Sequence, residues 1–271
     1  ALEDDSAEPD DESTTPEPLE PIVKPERSVL IIESNLDEMD YSTQRAQQLH
    51  FDLKNPPTAR LPNSFRSGEF GLKAHQLTGV AWLQNLHQFA PAQINGCLLA
   101  DDMGLGKTLQ LLCFIGEYLE STSNKKPVLI VAPVSLLENW QAEANRFFNN
   151  RFAKMLSLYG DAVKIRKIQK HAIPSDLQAR GICNLLEDGW RGDADIVLTT
   201  YETLRDLEFS FAREHWSIMV CDEAQKIKVP SAMVTRAAKA QQADFKIACT
   251  GTPVENSLTD LWCLFDFIQA G

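Results

Sequence analysis

Four short groups of residues in this chain could do chemistry together. Gly104, Gly106, Lys107 and Thr108 stand in the stretch 97–110, CLLADDMGLGKTLQ. Glycines let backbone N–H groups turn inward without a Cβ clash, and a helix opening at Lys107-Thr108 adds partial positive charge at its N-terminus. Such a loop cradles phosphates: Lys107 reaches the β- and γ-phosphates, and the Thr108 hydroxyl ligates Mg²⁺. Asp222 and Glu223 adjoin in DEAQKIK. Adjacent carboxylates at the end of a buried strand can divide the work, one holding Mg²⁺ while the other orients and deprotonates a water. Gln76 lies about thirty residues before Lys107, and its carboxamide can donate to and accept from an adenine edge at once. Thr250, Gly251 and Thr252 form a tight hydroxyl-bearing loop that either senses a γ-phosphate or caps a helix.

Positioning these groups requires strands that deliver them to one edge and helices that follow. The apolar run 97–100 is a strand, broken by Gly104-Leu105-Gly106, and Leu109, Leu111, Leu112, Ile115 and Leu119 mark a helix behind it. Residues 127–132 (PVLIVA) are a continuous apolar run, hence a strand buried on both faces. Ser135 is placed to cap the helix that follows over 136–148. Strands are also expected at 154–158, 196–200 (IVLTT), 218–221 (IMVC) and 245–249 (FKIAC), with an amphipathic helix over 72–89 and another over 256–268. Residues 172–192 carry no readable period. Lys164, Arg166, Lys167 and Lys170 are either a solvated helix face or a DNA-facing patch.

The 271 residues allow one large α/β domain with extras. Apolar content of 44% and charged content of 24% are ordinary for a globular protein. The net charge of −12 is uneven: residues 1–27 hold ten acidic and two basic side chains, so the other 244 residues carry only −4. The acidity therefore says little about what the fold binds. Residues 1–27 have almost nothing to bury and are expected to be a disordered acidic, proline-rich tail, a solvated linker or an arm for a protein partner. Residues 28–67 form an appendage and linker, with a strand at 28–32, a weak helix at 37–49 and a stiff connector at Pro56, Pro57 and Pro62. The principal domain is expected over 68–271. Six cysteines without CxxC spacing read as reduced core residues of a cytosolic or nuclear protein. No apolar run approaches the ~20 residues needed to span a bilayer, and no signal peptide opens the chain.

The ordered motifs GLKAHQLTGVAWL, DDMGLGKTLQ, LIVAPVSLLENW, VLTTYETL, DEAQKIK and TGTPVENSLTDLW resemble those of the N-terminal RecA-like lobe of the Swi/Snf-type ATPases in helicase superfamily two. The resemblance covers residues 72–271, and its DEAQ spelling is similar to that of bacterial or archaeal members. The departures are small: Asp102 replaces a usual Glu, Val229 a frequent Asn, and Ala270 a frequent Pro, while Asp101 stands where the common P-loop pattern has glycine. The resemblance implies a three-layer α/β lobe with a mostly parallel sheet, preceded by the acidic tail. It implies an ATP- and Mg²⁺-dependent translocase of double-stranded DNA, cytoplasmic and nucleoid-associated in a bacterium and nuclear in a eukaryote. Gln76 would read adenine, and Gly104, Gly106, Lys107 and Thr108 would hold phosphates. Thr108 and Asp222 would hold Mg²⁺, and Glu223 would be the general base. Gln225, Thr250, Gly251 and Thr252 would couple nucleotide state to DNA grip, while the loops of Pro133, Ser135 and Thr200 would follow the phosphates of one DNA strand. Trp140 reads as a packing residue. A second RecA-like lobe, expected to follow in a longer protein, would supply an arginine finger. Two other classes stay open: a nucleotide-binding interaction module without motor action, and a P-loop phosphotransferase.

Overall fold

The computed structural model describes residues 51–123, 125–253 and 258–269. The expectations for the tail at 1–27, the strand at 28–32 and the helix at 37–49 lie outside these residues. The described residues belong to one compact unit.

Six strands make one sheet: β1 (Gly96–Leu99), β2 (Val128–Val131), β3 (Met155–Leu158), β4 (Ile196–Thr199), β5 (His215–Asp222) and β6 (Gln242–Cys249). Their order is β1-β6-β5-β2-β4-β3, and every neighbouring pair is parallel. Parallel strands need helical crossovers, which cover both faces. The helices are α1 (Ala74–His87), α2 (Lys107–Ser121), α3 (Val134–Phe147), α4 (Asp161–Arg166), α5 (Ser175–Ala179), α6 (Tyr201–Asp206), α7 (Glu208–Ala212), α8 (Met233–Lys239) and α9 (Leu258–Ile268). The result is the three-layer RecA-like lobe expected, with the sheet wholly parallel among the described strands.

Period-2 alternation divides the core cleanly. Val128 and Ile130 of β2, with Ile218 and Val220 of β5, face one cluster that includes Leu111, Leu112, Phe114 and Trp140. Leu129 and Val131, with Met219 and Cys221, face the other, formed with Leu204, Phe211 and Phe267. All four residues of β2 and all four of β4 are buried. That burial is why these strands read as unbroken apolar runs rather than alternating ones.

Proline punctuates β2 on both sides. Pro127 precedes it, and Pro133 occupies the N-cap of α3 with ψ at 144°. Ser135 therefore does not cap this helix. Proline's fixed φ suits the helix entrance two residues earlier, and Ser135 lies exposed in the first turn. Helix α4 ends at Arg166, so the basic cluster does not form one helical face. Lys164 pairs with Asp161, while Arg166 donates to the Ala162 and Trp190 carbonyls.

The segment 172–192 is ordered by distant contacts. Lys167 bridges Leu186 in antiparallel fashion, and Trp190 packs edge-on against Phe211 at 5.3 Å. The connector 59–70 is clasped to the lobe: Gln84 of α1 accepts from the Arg60 N–H at 3.0 Å and donates to the Arg60 carbonyl at 2.7 Å. Phe65 packs on Phe148. Five cysteines are buried and Cys183 is exposed; none forms a disulfide. Among the described residues, no helix is long and apolar enough to cross a membrane.

Candidate active site

The C-terminal ends of β1, β6 and β5 lie side by side, with Leu99 level with Cys249 and Cys249 level with Asp222. The chain leaves β1 into 100–106, leaves β5 at Asp222-Glu223 and leaves β6 at Thr250. Parallel strands thus deliver the glycine loop, the acid pair and the hydroxyl loop to one edge, where open α/β sheets bind ligands.

In the glycine loop, Gly104 and Gly106 have φ of +83° and +80°. This region is penalised for residues with a Cβ. A Cβ on Gly106 would also stand 2.3 Å from Gln76 Nε2. Gly106 is the N-cap of α2 and supplies no side-chain cap, so the helix opens with N–H groups that an anion can satisfy. Lys107 Nζ donates to the Asp101 and Asp102 carbonyls at 2.6 and 3.1 Å. The ammonium is thereby folded over the loop it would share with phosphate oxygens. Asp101 accepts from the Gln110 amide at 3.2 Å, an anchor that the glycine of the common pattern could not offer.

Gln76 is buried and bridges two elements. Its Oε1 accepts from the Lys73 N–H at 2.9 Å and its Nε2 donates to the Leu105 carbonyl at 3.2 Å. It ties the start of α1 to the tip of the glycine loop. His75 reaches the same carbonyl.

Asp222 is buried, and both of its carboxylate oxygens accept hydrogen bonds. Its Oδ2 accepts the Trp140 indole N–H at 2.9 Å, and its Oδ1 accepts the Glu223 backbone N–H at 3.0 Å. Burial pushes its acidity toward higher pH, while the Trp140 and Glu223 donors oppose that and the Glu223 charge adds to it. Glu223 sits at φ +50°, the one non-glycine residue with positive φ among those described. Such a conformation costs on the order of 1–3 kcal/mol and survives where neighbours hold it. Its Oε2 accepts from Gln225 Nε2 at 2.7 Å; Gln225 Oε1 accepts the Thr250 hydroxyl at 2.9 Å; and Thr250 Oγ1 accepts the Thr252 N–H at 3.1 Å. A hydrogen-bonded relay thus joins the hydroxyl loop to Glu223. Gly251 fits close against Met103 of the glycine loop, where a Cβ would meet its Cγ at 2.9 Å. The charges converge on Cys249: burial raises its thiol, Asp222 raises it further, and Lys107 lowers it.

Pro133 and Ser135 stand at the start of α3, after β2. Thr200 follows β4, where its Oγ1 accepts the Thr203 N–H at 3.0 Å as the N-cap of α6. Thr199 is buried within β4 and donates to the Leu158 carbonyl. Two contacts escape a reading of sequence alone. Trp140 packs as expected but also donates to Asp222, and the buried Tyr201 hydroxyl donates to the Asp222 carbonyl at 2.7 Å. The available signal was that buried indole N–H and phenol groups need partners.

The glycine loop takes the left-handed turns that a phosphate cradle requires, and a hydroxyl and a carboxylate suit a hard cation such as Mg²⁺. Together with the parallel sheet, this defines a RecA-like P-loop nucleotide-binding lobe. A profile of the SNF2-related domain matches residues 75–271, and the chain belongs to that family of helicase-like ATPases, whose members use ATP, typically with Mg²⁺. It is 56% identical over 248 residues to the Zorya protein ZorD of Escherichia coli, covering 92% of this chain and 23% of that protein. It is 32% identical to the DNA excision repair protein CSB of Oryza sativa, covering 87% of this chain and 20% of that one. The Sulfolobus solfataricus SWI2/SNF2 ATPase core in complex with double-stranded DNA superposes with a TM-score of 0.60 at 30% identity, over 79% of this chain and 38% of that one. The chain thus spans about a fifth of the length of these sequence relatives.

Proposed function

We propose that this chain is the nucleotide-binding lobe of a DNA-dependent ATPase that moves along duplex DNA, and that ATP is hydrolysed on it when a second RecA-like lobe closes over the site. The observation that carries the reading is the juxtaposition of the glycine loop, the Asp222-Glu223 pair and the Gln225–Thr250 relay at one sheet edge. The duplex bound to the Sulfolobus ATPase core supports the choice of DNA as partner.

Gly104, Gly106 and the N-terminus of α2 receive the phosphates, and Lys107 exchanges its loop carbonyls for phosphate oxygens. Thr108 and Asp222 hold Mg²⁺, which when bound neutralises charge on the phosphates. Gln76 retains one amide hydrogen and one lone pair with which to meet an adenine edge. Glu223, oriented by Gln225, accepts the proton of the attacking water as that oxygen bonds to the γ-phosphorus and the bond to the bridging oxygen breaks. Gln225, Thr250, Gly251 and Thr252 transmit closure of the second lobe. Pro133, Ser135 and Thr200, at the mouths of α3 and α6, lie along the path of one DNA strand and meet its phosphates. Of these three, Ser135 is exposed, whereas Thr200 is buried and its hydroxyl caps α6.

Glu223→Gln in the full-length parent tests this. DNA-stimulated phosphate release should fall about a hundredfold or more, the scale of general-base catalysis, with Mg-ADP affinity retained. Unchanged turnover would favour a nucleotide-binding module that acts without hydrolysis at this site.

A further inference from the structure

Two of the hydrogen bonds that Asp222 receives come from the helices that follow the proposed DNA loops. Trp140, the seventh residue of α3, is fully buried and aims its indole N–H at Asp222 Oδ2, 2.9 Å away. Tyr201, the first residue of α6, is buried and donates its hydroxyl to the Asp222 carbonyl at 2.7 Å. The Glu223 N–H also donates, to Asp222 Oδ1, and the Cys249 thiol donates to the same carboxylate. The peptide joining Asp222 to Glu223 is therefore pinned at both ends, its C=O by Tyr201 and its N–H by the Asp222 carboxylate. That pinned peptide leads directly into the strained φ of +50° at Glu223.

A buried indole N–H needs an acceptor, and backbone carbonyls are the usual ones. Here it takes a carboxylate oxygen in the active site, a charge-assisted bond that fixes direction as well as energy. Trp140, the Glu223 N–H and the Cys249 thiol together take three of the roughly four lone-pair positions of the Asp222 carboxylate, so the donors orient it and still leave one for a cation.

We infer that Trp140 and Tyr201 are positioning residues for the hydrolytic site: Trp140 sets the rotamer of the carboxylate that holds Mg²⁺, and Tyr201 holds the turn that aims Glu223. The inference rests on the nucleotide-binding reading above. It places one hydrogen bond between each of α3 and α6 and the acid pair.

The test is the thermal shift of the 271-residue chain with ADP alone and with ADP titrated with Mg²⁺. Trp140→Phe should keep the shift given by ADP alone, since the Lys107 cradle is untouched. Its half-saturating Mg²⁺ should rise at least about tenfold, the scale of a hydrogen bond to a charged group. Tyr201→Phe deletes one oxygen and keeps the ring, and should raise half-saturating Mg²⁺ about threefold. A purely structural role would lower the melting temperature of the free chain and leave the Mg²⁺ titration unmoved. Unchanged half-saturation in both variants overturns the inference, and if Trp140→Phe fails to fold, Tyr201→Phe decides alone. Lys107→Ala should abolish the ADP shift. If it does not, or if the chain shows no ADP shift, the nucleotide reading falls and takes the positioning roles with it.

Discussion

Gln225 holds the Glu223 carboxylate through Nε2 at 2.7 Å while its own Oε1 accepts the Thr250 hydroxyl at 2.9 Å. A carboxylate tethered on one oxygen presents the other in a fixed direction, which is what a base must do to meet a water. Gln225→Ala should cut this tether and the link to Thr250 together. In the full-length parent we expect turnover to fall roughly tenfold, since the bond is made to a charged group, with Mg-ADP affinity unchanged because no phosphate contact is lost. Turnover equal to wild type in a phosphate-release assay would show that the relay does not orient the base.

The two loop glycines should respond differently to a methyl group. Gly104→Ala meets only backbone strain, as no atom lies within 4 Å of the added Cβ. Gly106→Ala meets the same strain, roughly 1–2 kcal/mol, and also a contact at 2.3 Å with Gln76 Nε2. Gln76 would have to swing away and give up its bond to the Leu105 carbonyl. The melting temperature should drop further for Gly106→Ala than for Gly104→Ala. Equal drops would mean that Gln76 is not held against the loop.

Acid should weaken the fold through His87. Its ring lies among Phe114, Tyr118 and Phe245 at 5.2–5.4 Å. Burial lowers its pKa from the ordinary 6.5, with Glu117 and Asp244 pulling partly upward. The unfolded chain therefore takes a proton near pH 6.5 that the folded chain refuses. Stability is full above that pH and is lost as pH falls from 6.5 toward the folded pKa, by at most about 1.4 kcal/mol per pH unit. Melting at pH 7.5 and 5.5 should show a smaller difference in His87→Gln than in the parent chain. An identical difference would remove His87 as the titrating group.

Much of this architecture is legible in the sequence because burial leaves marks there. β2 and β4 are sealed on both faces and so are spelled as runs dominated by β-branched and apolar residues, and the glycine loop and the acid pair each need particular residue types at fixed spacing. The segment 172–192 left no mark, because a bridge at Leu186 and the packing of Trp190 on Phe211 order it, and neither follows a period. A serine at position 135 is chemically apt as the cap of α3, yet Pro133 with its fixed φ holds that position. The grips of Trp140 and Tyr201 on Asp222 span 82 and 21 residues of chain, and no local pattern encodes which acceptor a buried donor will find.

Phosphate release by this chain and its Glu223→Gln variant, each with and without duplex DNA, tests the central claim most directly. On the proposed reading, the residues that would orient water, place Mg²⁺ and bind phosphate are gathered on this lobe. The charge spreading over the γ-phosphate oxygens still needs an arginine finger, worth roughly 10³–10⁵ in rate, which the family resemblance places on a second lobe. We therefore expect turnover orders of magnitude below that of the full-length parent, with no response to DNA. Robust hydrolysis that DNA stimulates and that Glu223→Gln abolishes would contradict this account, because it would mean that the 271 residues complete the site by themselves.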